Sequence, residues 1–210
     1  MAERGRPRSF DKEAALDRAM EVFWRLGYEG ASMTDLTAAM GIASPSLYAA
    51  FGSKEALFRQ AIEHYRETEG REIWDGVEQA GSAHDAIENY LMQTARVFTR
   101  RSKPAGCLIV LSALHPAERS DTVRQMLIAM REQTVAALRT RLGEGVAAGE
   151  ISAHADLDAI ARYYVTVQQG MSIQARDGAS RRDLEAVAQA ALAAWPALAA
   201  ANGGPRKETR

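Results

Sequence analysis

The stretch from Ala31 to Phe58, ASMTDLTAAMGIASPSLYAAFGSKEALF, decides how this chain of 210 residues folds. Ser32 stands three residues before Asp35, so a hydroxyl can accept from the first free amides of a helix while a carboxylate occupies its positive end. That spacing predicts a helix from Met33 to Met40. Gly41 then lets the chain leave in a left-handed conformation that a Cβ would make costly. After a turn over 41–43, Ser44 offers a second N-cap, and Pro45 supplies a first helical residue whose φ is already set. The second helix is expected over 45–51. Gly52 and Ser53 interrupt the chain again, and KEALFRQAIEHY places Leu57, Phe58, Ala61, Ile62 and Tyr65 on one stripe of a third helix. Leu36, Ile42, Leu47 and Phe51 can share a small core with Leu16, Met20 and Phe23 of a preceding helix. Two short helices around a tight turn, followed by a longer one, are the pattern of a DNA-binding helix-turn-helix.

Residues 10–65 resemble the N-terminal domain of the TetR-like (TetR/AcrR) family of bacterial transcriptional regulators. The resemblance is carried by LYAAFGSKEALF at 47–58, with its leucine, tyrosine, phenylalanine and serine-lysine-glutamate start to the next helix. Gly27, Tyr28 and Gly30 fit the same pattern. From about residue 66 to 200 the similarity is confined to length, helical texture and the Gly106-Cys107-Leu108 triplet of one C-terminal subgroup. The resemblance implies phosphate contacts from Tyr48 and Lys54, repression, and a small-molecule inducer that it does not identify.

A hydrophobic share of 47% against 25% charged residues is ordinary for a soluble globular chain and excludes disorder as the default. Helix formers dominate and no Asn-Gly or Asp-Gly hairpin signal separates alternating strands. The expected fold is all-α, an N-terminal three-helix helix-turn-helix domain followed by a C-terminal helical domain for ligand binding and dimerisation. The expected divisions are a basic arm at 1–9, the DNA-binding domain at 10–53, the effector and dimerisation domain at 54–200, and a tail at 201–210. No apolar run approaches the roughly 18 residues that span a membrane, and MAERGRPRSF lacks a signal-peptide core, so no membrane partner and a cytoplasmic location are expected. Cys107, the one cysteine, cannot form an intrachain disulfide, in keeping with a reducing compartment.

A formal net charge of −1 fits a DNA-binding protein only once the charge is mapped. Arg4, Arg6 and Arg8 lie within the first eight residues, and local potential matters more to a phosphate backbone than the total. RGRPR at 4–8 resembles an AT-hook, in which arginines enter a narrow minor groove. The helix at 45–51 is the candidate for the major groove of double-stranded operator DNA, exposing Ser44, Pro45, Ser46 and Ala49 near its N-terminus. It carries no Arg, Lys, Asn or Gln, so bidentate reading of guanine or adenine is absent from it. Hydroxyl contacts, Ala49 against a thymine methyl, and DNA shape are expected to supply specificity. Tyr48 can reach sugar and phosphate, Lys54 stands where a cation and free amides converge on an anion, and Thr34 is a further contact candidate.

Beyond Tyr65, caps and breakers predict helices from Ser82 to before Lys103, over 107–114 with a stop at His115-Pro116, over 121–148, over 156–177, and a last one capped by Ser180 and Asp183. The final two suggest a homodimer built as a four-helix bundle, with Tyr163, Val167, Gly170, Leu184, Val187, Ala191 and Trp195 as candidate interface residues. Tyr90, Phe98, Leu111, Met126, Met130 and Tyr164 are large enough to enclose a ligand that Gln93 and Gln168 would orient. Cys107, just after Gly106 at a helix start, is a candidate ligand contact too, and a candidate redox or electrophile sensor if the helix amides lower its pKa. His64, His84, His115 and His154 lack ligand-spaced companions, and no nucleophile elbow, phosphate loop or HExxH occurs, so neither metal, cofactor nor enzymatic activity is expected. A ligand-responsive transcription factor fits these features. A helical enzyme or carrier would need a catalytic constellation, and a purely structural DNA-binding protein would leave the large C-terminal domain without a use.

Overall fold

The computed structural model describes residues 10–113 and 121–200, which form eleven α-helices. Arg4, Arg6 and Arg8, the stop expected at His115-Pro116 and the tail at 201–210 lie outside the described residues. The Asp11 carboxylate accepts from the Glu13 and Ala14 amides and starts α1 (Lys12–Gly30). Within α1, Gly27 adopts φ 71°, a left-handed turn that swings Tyr28 back until its ring lies 5.0 Å from that of Phe58. A capping box between Ser32 and Asp35 opens α2 (Met33–Met40), and Gly41 ends it at φ 67°.

The next helix, α3 (Ser44–Phe51), begins one residue before its expected start. Ala43 is the N-cap, its carbonyl accepting from the Ser46 and Leu47 amides at 2.9 and 3.1 Å, so the Ser44 hydroxyl caps nothing. Pro45 tolerates the shift because any first-turn position lacks an amide acceptor. Ser53 caps α4 (Lys54–Glu67) through the Ala56 amide. Leu36, Leu47, Phe51, Met20 and Phe23 are buried together, with Leu16 and Ile42 packed at the margin. Full burial of each of the large side chains contributes about 1.5–3 kcal/mol.

A short helix with no counterpart among the expected ones, α5 (Arg71–Glu78), folds back on α6 (Ala83–Phe98). Then come α7 (Leu108–Ser112), α8 (Asp121–Ala147), α9 (Leu157–Arg176) and α10 (Arg181–Leu192). The last expected helix breaks after Leu192, so Trp195 belongs to a separate turn of helix, α11 (Trp195–Ala200). The body packs α8 against α9, and α6 against both α9 and α10. Helix packing and ion pairs both help to hold α1 to this body. Helix α7 packs on α1, α4 and α9, and the Lys103 ammonium lies 3.1 Å from Asp17 and 3.3 Å from Glu21 of α1 and 3.7 Å from Glu69. Burial opposes the Lys103 charge, but the Asp17 and Glu21 carboxylates outweigh it and raise its pKa.

Candidate nucleic-acid interface and internal cavity

Helix α3 turns Leu47 and Phe51 into the core and leaves Ser44, Pro45, Tyr48 and Ala49 exposed, with Ser46 half-buried. Thr34, in the first turn of α2, is exposed beside them in the motif. Among the described residues the hydroxyls of Thr34, Ser44, Ser46 and Tyr48 have no hydrogen-bond partner in the protein. Tyr48 is 50% exposed, unusual for a large ring in an eight-residue helix whose other large side chains are buried. Lys54 starts α4, and its ammonium lies over the Tyr28 ring at 4.6 Å from the centroid. Partial burial lowers its pKa, against the opposing pull of Glu29. The cation is therefore parked on an aromatic face at the open end of a helix.

A cavity of about 470 Å³ opens in the body, walled by α4 to α9. Of the candidate ligand residues, Tyr90, Phe98, Cys107, Met130 and Gln168 line it. Gln93, Leu111, Met126 and Tyr164 do not. Gln93 points away and accepts from the Arg96 guanidinium at 2.8 Å, Leu111 packs under Gly106, and Met126 lies at the margin of the core. Tyr164 stacks edge-on against Tyr163 and near Trp195, where burial pushes its pKa up to about 12. Each sits on the right helix at the wrong rotation. Wall residues that the sequence did not single out include Tyr65, Trp74, Ile109, Val110, Arg131 and Val165.

Cys107 is the N-cap of α7 and lies in the cavity wall. Burial raises its pKa, although the Tyr65 hydroxyl, the Val110 and Ile109 amides and the Arg131 charge all favour the thiolate. The expected helix-start effect is thus present but overridden by desolvation, and the group is a neutral thiol at neutral pH.

The dimer candidates divide likewise. Tyr163 and Val187 are 37% and 40% exposed, Gly170 is open, and Val167 is half-buried. Leu184 and Ala191 are instead buried within their own chain, because α10 spends that stripe on α6 and α9, and Trp195 of α11 is buried near Tyr164 and His84. His84, Asp85 and Glu88 do converge at the start of α6, with ligand atoms within 4.8 Å, a cluster the spacing of the histidines had not suggested. The His84 ring is packed edge-on to Trp195 at 5.5 Å, and its two acidic neighbours are ordinary for the first turns of a helix.

Residues 15–61 match the family model for bacterial regulatory proteins of the tetR family, and residues 83–191 match a tetracyclin repressor-like C-terminal domain. The HTH-type transcriptional repressor ComR of Escherichia coli (strain K12) is 38% identical over 200 residues, 93% of each chain. BdcR, a second HTH-type repressor of the same organism, is 30% identical over 88% of each chain. A cysteine variant of the regulator CifR, solved with a 26-base-pair operator duplex, is 47% identical with a TM-score of 0.88, covering 91% of this chain and all of that one. Among the described residues no helix is long and apolar enough to cross a membrane. With both halves matched and relatives similar over nearly their whole length, the chain belongs to the tetR family of bacterial regulatory proteins.

Proposed function

We propose that the protein is a homodimeric, ligand-responsive repressor that binds a palindromic operator through α3 and is released when a small molecule enters the cavity. The carrying observation is the surface of α3, a short helix with a half-exposed tyrosine and unpartnered hydroxyls, next to the Lys54 ammonium at the start of α4. Thr34, Ser44, Pro45, Ser46, Tyr48, Ala49 and Lys54 would meet the major groove and its phosphates, and Arg4, Arg6 and Arg8 the adjoining minor groove. A second copy would pack on the exposed side of α9 and α10 at Tyr163, Val167, Gly170 and Val187, placing two heads on successive major-groove faces. Contacts of α7 with both the cavity and α1 would carry the ligand's effect to the head. That CifR was solved on operator DNA supports the DNA-binding half of this reading.

The test is selection of genomic fragments by the purified protein, repeated with Tyr48→Ala. A palindromic site enriched by the intact protein and lost in the variant is expected; no enriched site at low or moderate salt would overturn the reading.

A second reading, thiol sensing through Cys107, is favoured by one observation, the position of the thiol in the cavity wall beside Arg131. Sulfur would displace a leaving group such as halide from the carbon of an electrophile, forming an S–C bond as the carbon–leaving-group bond breaks and the thiol proton passes to water. Because burial keeps Cys107 protonated, its alkylation by iodoacetamide at pH 7 should be several-fold slower than that of free cysteine. Fast alkylation, with loss of DNA binding that Cys107→Ser prevents, would establish sensing; slow alkylation without that loss leaves the non-covalent inducer.

A further inference from the structure

Arg131, on α8, places a guanidinium in the cavity wall whose Nη1 is buried and has no hydrogen-bond partner among the described residues. Its neighbour Glu132 acts on it through charge but gives it no hydrogen bond, both Glu132 oxygens being bonded to Arg162 at 3.1 and 2.9 Å. The other arginines of the wall are paired, Arg66 with Glu63 at 3.2 Å and Arg71 with Asp75 at 2.7 Å. Burial weakens the Arg131 charge, opposed by Cys107 and Glu132, and Cys107 is held as a neutral thiol. A buried guanidinium nitrogen without an acceptor is costly, and an incoming anion removes that cost.

Tyr90 supplies the second group. Its side chain is 1% exposed, it lines the same cavity, and its hydroxyl is buried without a partner. Burial holds the phenol far above its ordinary pKa, so it is a neutral O–H donor. Tyr90, Arg131 and Cys107 all line this one cavity, so both unused donors belong to its wall. Trp74, Phe98, Val110 and Val165 give the wall an apolar stretch, while Glu67, Glu78 and Gln168 are among the polar groups that line the rest of it. An inorganic ion would leave most of the 470 Å³ unfilled, and a phosphate dianion would find too few cations.

We infer that the cavity takes a small organic monocarboxylate with an apolar body, its carboxylate accepting from Arg131 and from the Tyr90 hydroxyl. This rests on the cavity being the inducer site. A charge-assisted hydrogen bond in a desolvated site makes the carboxylate about tenfold or more tighter than its neutral amide.

The experiment is calorimetry and thermal shift on the full-length protein with hexanoate, octanoate, phenylacetate and 3-phenylpropanoate, each against its primary amide. At least one acid should bind at least tenfold tighter than its amide. Arg131→Met should erase that difference without lowering the melting temperature of the unliganded protein, and Tyr90→Phe should weaken the acid several-fold. Equal binding of acid and amide, no binding by any acid, or acid binding indifferent to both substitutions would overturn the inference. An acid that binds through Arg131 but leaves operator affinity unchanged would uphold the carboxylate site and overturn the inducer reading; a neutral amide that binds and releases the operator would do the reverse.

Discussion

Gly106→Ala is expected to lower the melting temperature by about 10 °C, whereas Gly149→Ala lowers it by only a few degrees. Both glycines have left-handed backbones, φ 82° and 77°, so alanine carries a similar conformational penalty of about 1–2 kcal/mol at each. Their surroundings separate them. A Cβ at Gly149 would meet nothing within 4 Å, while one at Gly106 would lie 2.6 Å from the Ser172 carbonyl oxygen, 2.9 Å from Leu111 Cδ1 and 3.0 Å from Ser172 Oγ. The closest atom is backbone within α9, so no rotamer change relieves the overlap. The Gly106 amide also donates to the Phe98 carbonyl at 3.0 Å, and the Cys107 amide to Ser172 Oγ at 2.8 Å. Moving Gly106 away from α9 therefore strands buried polar groups as well. Overpacking adds about 1–3 kcal/mol to the backbone term, for a total of about 2–5 kcal/mol. Since α7 hangs from this junction and packs on α1, operator binding should fall alongside stability. Equal melting temperatures for the two variants would remove the close approach to α9 as the reason for glycine at 106.

The same junction shows what sequence can and cannot reveal. Ser32 with Asp35 and Ser180 with Asp183 are legible because a capping box is closed within four residues, and both form as expected. Gly41 is legible for the same reason. The exposed face of α3 follows from the burial of Leu47 and Phe51, whose spacing is visible in the sequence. Gly106 can be read as a breaker, but not as a contact with Ser172, which lies 66 positions later in the chain. The cavity is harder still, because six helices contribute to it and a small error in the rotation of each exchanges one wall residue for another. Gln93 and Tyr90 stand three residues apart on α6, yet one binds Arg96 at the surface and the other lines the cavity. Arg131 reads as a solvated residue on a long helix whose polar and apolar residues hardly segregate. Only the packing of α8 against α7 and α9 reveals its unpartnered nitrogen. The stripe of α10 misleads for the opposite reason: periodicity reports that a face is buried, not whether its own chain or a second copy covers it.

Lys54→Met is expected to weaken operator binding by about 100-fold or more, while Lys54→Arg retains most of the affinity. The argument begins with the helix end. Ser53 caps the Ala56 amide, leaving the earlier amides of α4 directed at whatever lies beyond the N-terminus, and the Lys54 ammonium stands at the same end. In the absence of DNA that ammonium rests on Tyr28, a contact worth about 0.5–1 kcal/mol that a phosphate readily replaces. A charged hydrogen bond to phosphate contributes about 1.5–3 kcal/mol, and in the proposed dimer each substitution acts twice, giving about 3–6 kcal/mol. Losing two phosphate contacts should also flatten the dependence of log affinity on log salt by about 2. That slope separates a lost phosphate contact from damage to α3, which would lower affinity at every salt concentration without changing it. Fluorescence anisotropy on the selected operator between about 50 and 200 mM salt measures both quantities. If Lys54→Met binds as tightly as the parent protein with the same slope, the phosphate role assigned to this lysine is wrong, and the start of α4 is only a structural corner of the motif.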